Sequence, residues 1–166
     1  MESAVWTDRE GRRWSVTITV GTLKRVKELV EVNLLDVFDG VLLNRLADDP
    51  VLLANTLYAV CKLQADERGI DDLAFGELLV GDTIEAAAQA LVLGLSLFFP
   101  QQRRAALTSL WAKMNRARSA MLDMATAKLD SPQLEQAIQA EIERTAAEMD
   151  RRLAAVLNPS GDGSGG

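Results

Sequence analysis

At 166 residues, 48% hydrophobic and 25% charged, the chain suits one globular domain with a real core and excludes disorder throughout. Its 18 basic and 24 acidic residues give a formal charge of -6, which opposes bulk attraction to nucleic acids or anionic membranes. There is no histidine and a single cysteine, Cys61, so the commonest general base is missing and neither a zinc site nor an internal disulfide is expected.

The first residues, MESAVWTDREGRRW, carry an acid at Glu2 and no apolar core before a small-residue cleavage site. They do not have the pattern of a signal peptide, and the chain is expected to stay where it is made. A β-hairpin is predicted over about 4–20. In WSVTITV the residues Trp14, Val16, Ile18 and Val20 fall on one face and Ser15, Thr17 and Thr19 on the other, the period of a half-buried strand. AVWT supplies a partner strand and Asp8–Gly11 a turn. Two strands alone are marginal, so this pair must pack on helices or extend a neighbour's sheet.

After Gly21 the period becomes helical. Thr22 is a candidate cap for a helix with Leu23, Val26, Leu29 and Val30 on one side. A second helical piece, LLDVFDGVLLNRLADD, is stopped by Pro50, with Asp49 as the cap of the next helix and Pro50 in its first turn. That helix runs through VLLANTLYAVCKLQADERG to Gly69, and Cys61 lies on it at apolar spacing as a core thiol. A short helix begins at Asp71 or Asp72 and ends at Gly81, after which Asp82 or Thr83 caps a long apolar helix.

That helix contains ALVLGLSLFF, Ala90 to Phe99. Glu85 before it, Pro100 after it, and Gln89 and Ser96 within it leave the apolar run well short of the roughly 20 residues of a membrane span. Burial in a protein interior is the expectation. Beyond Pro100 a further helix has Leu107, Leu110, Trp111, Met114, Met121, Leu122 and Ala125 on one side. Ser131 and Pro132 mark the start of the last helix, which carries Leu134, Ile138, Ile142, Ala146, Met149, Leu153 and Val156 at spacings of three and four. NPSGDGSGG closes the chain with nothing apolar to bury, so residues 159–166 are expected to be disordered. The fold class expected is mostly α, a single helical domain over 1–158 with an N-terminal β-hairpin.

Catalytic signals are few. GLSLF resembles a nucleophile elbow without its second glycine or a histidine partner. GDGSGG matches the glycines of a dinucleotide loop but has neither a preceding strand nor a following helix. The acid pairs Asp36 and Asp39, Asp48 and Asp49, Asp66 and Glu67, and Asp71 and Asp72 sit at helix ends or polar faces, where acids cap and solvate. No enzyme and no cofactor are expected. The basic stretch Arg103, Arg104, Lys113, Arg116 and Arg118 surrounds one tryptophan, too little for a stacking platform, and the acids of the last helix, Glu135, Glu141, Glu143, Glu148 and Asp150, are its natural partners within or between chains. Met114, Met121, Met124 and Met149 fit either gap-filling in a core or an adaptable surface for apolar helices.

The order of features, RRWSVTITVGTLKRVKE, then VNLLDVFDGVLLNRLADDPVLLANTLYAVCKLQA, then GIDDLAFGELLVGDTIEAAAQALVLGLSLFFP, resembles the tail assembly chaperones of long-tailed bacteriophages over roughly Trp6 to Pro100. The resemblance implies a mostly helical, non-enzymatic protein of the host bacterial cytoplasm. Such a protein binds the long, helical tape measure protein, keeps it soluble until tail tube subunits polymerise, and acts as a homo-oligomer on its client, with no nucleic acid or membrane partner. In that family a programmed frameshift often adds a second segment. A chaperone of this kind needs an apolar groove, and the candidates are Leu93, Leu97, Phe98 and Phe99 with Trp111, Met114, Met121, Met124 and Met149. Trp14, Val16, Ile18 and Val20 form the candidate self-assembly strand. The alternative is a helical scaffold or adaptor that oligomerises through the last helix without a client.

Overall fold

The computed structural model describes residues 4–158, so the glycine and serine tail lies outside the described residues. The expected class holds: the chain is mostly helical after a two-stranded antiparallel N-terminal sheet. It divides into two compact units, Met1–Arg116 and Ala117–Gly166.

In the first unit, β1 (Val5–Thr7) pairs with β2 (Arg13–Ser15) with Trp6 opposite Trp14. Both strands are shorter than the period predicts. Val16 still donates its N–H to the Ala4 carbonyl at 2.7 Å, residues 17–19 leave the pairing, and Val20 opens helix α1 (Val20–Val30) with 59% exposure. The cause is a capping box three residues before the predicted cap. Thr19 accepts from the Thr22 backbone N–H while the Thr22 hydroxyl accepts from that of Thr19. Trp14, Val16 and Ile18 stay buried as the alternation requires.

The piece predicted as one helix after α1 is two. A 3-10 helix, Leu34–Asp39, ends at Gly40, whose φ of 77° interrupts the winding before α2 (Val41–Asp48). Asp49 then accepts from the Val51 and Leu52 N–H groups and Pro50 takes the first turn of α3 (Pro50–Val60), as expected. A break at Cys61 separates α3 from α4 (Lys62–Glu67), Asp71 caps α5 (Asp72–Gly76), and α6 runs from Asp82 to Phe98. Gly76 ends α5 and Gly81 lies between the helices at φ 59°; Asp82 starts α6 as its first residue, without a side-chain cap. α7 (Gln101–Leu129) follows Pro100 and brings Leu107, Leu110, Trp111 and Met114 to the core of this unit.

The apolar run of α6 is the floor of that core. Ala90, Leu91, Val92, Leu95 and Phe99 are buried, and each fully buried leucine stabilises the fold by about 1.5–3 kcal/mol. The first strand lies against α6, while α1, α2 and α5 pack on α3. Contact with the hairpin requires Gly94: a Cβ there would stand 2.5 Å from Val16 Cγ1 and 3.1 Å from the Val16 carbonyl oxygen. The glycine in GLSLF thus serves close packing. Ser96 beside it is buried, and its hydroxyl donates to the Leu93 carbonyl at 2.7 Å.

The second unit holds the remainder of α7 and helix α8 (Pro132–Leu157), which starts as expected with Ser131 accepting from the Leu134 N–H and Pro132 in the first turn. Its side chains pack little: every residue from 119 to 130, and every residue of α8 except Leu134, is exposed.

Gly94→Ala is expected to destabilise the first unit by about 1–3 kcal/mol, the range for overpacking. Val16→Ala in the same chain should recover part of that loss by removing the closer contact. Chemical denaturation of the single and double variants measures both.

Candidate helix-binding surface

The hairpin is organised by a buried carboxylate. Asp8 Oδ1 accepts from the backbone N–H of Glu10 at 2.8 Å and of Arg12 at 3.0 Å, and Oδ2 accepts from Trp14 Nε1 and Arg12 Nε at 2.9 Å each. Burial opposes ionisation, but the donors from Trp14, Arg12 and Glu10 outweigh it and hold the carboxyl below its ordinary value. Trp14 stacks on Trp6 at 6.0 Å, meets the edge of Phe75 at 4.9 Å, and is covered by the Arg68 guanidinium at 4.2 Å.

These contacts change the role predicted for the strand. Its apolar face is occupied by the chain's own core, and the outer edge of β2 is covered as well. The Gln64 side-chain amide takes both backbone groups of Ser15, accepting from its N–H at 3.0 Å and donating to its carbonyl at 2.8 Å, while Arg68 donates to the Arg13 carbonyl at 2.9 Å. Side chains of α4 and its C-terminal cap thus do what a neighbouring strand would do. Of the four residues proposed for self-assembly, Trp14, Val16 and Ile18 are interior and Val20 is helical.

The other candidates separate by position. Phe99 is buried, and Leu93, Leu97, Phe98, Trp111 and Met114 are half-buried against the core of the first unit. Phe99 meets Phe98 at 5.3 Å and Phe38 at 4.9 Å. Phe38 was missed in the sequence, since eclipsing of residues three apart on a 3-10 helix aligns it with Leu35, on the face away from buried Leu34 and Val37. In the second unit Met121, Met124 and Met149 are exposed, together with Leu122, Leu129, Ile138, Ile142, Leu153 and Val156, at 52–77% of their full surface. An apolar stripe of this extent has nothing packed on it among the described residues of its unit.

Charged groups first considered for chemistry hold structure. Asp36 accepts from the Asn33 amide, Asp39 from the Val41 N–H, and Asp71 from the Ala74 N–H, while Asp66 pairs with Lys62. From the basic stretch, Arg104 donates to the Ser96 and Leu97 carbonyls at 3.3 and 3.5 Å and so closes the C-terminus of α6; Arg25 closes α3 through the Ala59 carbonyl at 3.1 Å. The glutamates expected to meet that stretch have local partners too, Glu141 with Arg144 and Glu148 with Arg152. Cys61 is buried and its thiol is pushed up to about 12 by desolvation, which keeps it protonated at neutral pH. A cleft of about 600 Å³ between α6 and the start of α7 is lined by Leu93, Ser96, Gln101, Arg104, Ala105 and Thr108, and its one charged group, Arg104, is the α6 cap just described. Among the described residues no three His, Cys, Asp or Glu side chains cluster as a metal site, and no helix is long and apolar enough to cross a membrane.

No protein-family model, curated protein or solved structure matches the chain.

Two measurements test the hairpin. Because the folded state holds Asp8 ionised more readily than the unfolded chain does, its contribution is full above the unfolded pKa and is lost as pH falls through the lower folded value. Asp8→Asn should therefore lower stability at pH 7 by about 1–3 kcal/mol and flatten the acid side of the stability curve. Ile18→Asp should unfold the first unit, as read by circular dichroism; a folded protein that has merely lost self-association would return this residue to an assembly role.

Proposed function

We propose that the chain is a non-catalytic assembly chaperone that holds an apolar helical client. The observation that carries the reading is the apolar stripe on α8 and the 117–129 part of α7, exposed on a chain whose other unit buries its apolar run. Free proteins rarely leave so many large apolar side chains in water unless another chain covers them. Methionine on such a face accommodates varied partner side chains, and helix-in-groove recognition needs anchors at this spacing and no cofactor.

The resemblance of 6–100 to phage tail assembly chaperones names the client class within this reading. The protein would hold the tape measure protein in the bacterial cytoplasm until the tail tube forms around it, and it would require no catalytic group. The client site falls on Met121, Met124 and Met149 with Ile138, Ile142 and Leu153. Leu93, Leu97, Phe98 and Phe99 contribute mainly core.

The test is co-expression of the tagged full chain with its neighbouring reading frames, followed by mass spectrometry of what is captured. The expected result is one very long, helix-rich chain that is insoluble when expressed alone. Ile142→Glu with Met149→Glu should reduce its recovery by at least about tenfold, a loss of roughly 1.4 kcal/mol or more, with the melting of the first unit unchanged. Recovery of the chain alone, with no such client, would overturn the chaperone reading.

A further inference from the structure

We propose that two copies of this chain exchange their terminal helices, residues 134–146 of α8 in each copy lying antiparallel on the 117–129 stretch of α7 of the other. This goes beyond the client reading and does not depend on it.

Among the described residues of the second unit both faces are present and unoccupied. Met121, Leu122, Met124 and Leu129 are exposed on α7, and Ile138 and Ile142 on the facing part of α8. Two residues, Asp130 and Ser131, join the helices, the minimum for an antiparallel helix pair. In the chain the two stripes stay apart, since all of 119–130 is exposed. Short joints that hold complementary elements apart favour exchange with a second copy over closure within one.

Charge selects α7 of the second copy over its α8. At 3.6 residues per turn Glu135 falls in line with the α8 stripe, with Glu141 and Glu148 along one rim and Glu143 and Asp150 along the other. Arg152 joins the first rim and pairs with Glu148; Arg144, from the back of the helix, reaches Glu141, and Arg151 stays behind. Two such helices face to face would oppose acid to acid. The 117–129 stretch of α7 has the opposite balance, with Arg118 and Lys128 against Asp123 alone, and Asp123 lies on the side away from Met121 and Ala125. The antiparallel register that sets Met121 against Ile142 places Lys128 opposite Glu135. The spacing of the α8 stripe, close to that of the helix itself, keeps the seam straight instead of winding it into a heptad supercoil.

Light scattering on the purified full chain, without any client, should give a dimer; a monomer at every concentration would overturn the proposal. Met121→Cys and Ile142→Cys chains carrying different tags should, when mixed and oxidised, form mainly the mixed disulfide, with native Cys61 buried and silent. Mainly Ile142→Cys self-disulfide, or a monomeric internal disulfide in the double variant, would overturn the pairing. Lys128→Glu should weaken the dimer by about twofold to fivefold and adding Glu135→Lys should restore it, as for an exposed ion pair; no change in either would remove the register. Failure of client capture with the dimer intact would bear on the chaperone reading alone.

Discussion

The first unit depends on one close approach, the backbone of α6 at Gly94 against Val16. A two-stranded hairpin cannot hold itself together in water, so its apolar face needs a surface to lie on. The apolar helix supplies that surface, and only the missing side chain at Gly94 lets Val16 reach it. Through the same contact the hairpin covers part of the ALVLGLSLFF run. Trp6 and Trp14 then close on Phe75 from α5, and the buried Asp8 carboxylate ties the turn to the indole of Trp14. A side chain at Gly94 would therefore disturb strand, turn and helix together.

Around this contact, side chains take the place of backbone partners at three element ends. Gln64 pairs with the edge of β2, and Arg25 and Arg104 close the C-termini of α3 and α6. Each satisfies carbonyls or amides that would otherwise be costly to shield from water. Much of the polar complement that reads as a potential active site or nucleic-acid surface is accordingly structural. The apolar groups on α8 and the 117–129 part of α7 are exposed in a continuous stripe, while the polar ones of the first unit hold its element ends.

The elements were legible where one local pattern governed them. The caps at Asp49, Asp71 and Ser131, the boundary at Pro100 and the burial of the apolar run all follow from neighbouring residues. The ends of the strand were not, because alternation in WSVTITV continues past Ser15 while the Thr19 and Thr22 capping box turns the backbone into α1. Nor was the break at Gly40, where the apolar pattern persists although the glycine takes a positive φ. Duties at long range, such as those of Gln64, Arg68 and Gly94, leave no local trace. On the proposed surface, Ile142 and Met149 have the same spacing whether they line a core or a partner's groove, so periodicity alone separates neither Met114, which packs, from Met121, which is exposed.

The contrast between the two units carries the functional reading. In the first, apolar stripes on several short helices converge and cover one another. α8 has a comparable stripe over 26 residues and no buried side chain. An isolated helix of that length gains little from propensity alone, and most helical stability comes from packing an amphipathic face. Its local ion pairs, Glu141 with Arg144 and Glu148 with Arg152, are exposed and add only tenths of a kcal/mol each. The stripe is therefore most economically understood as half of an interface whose other half is a second helical chain.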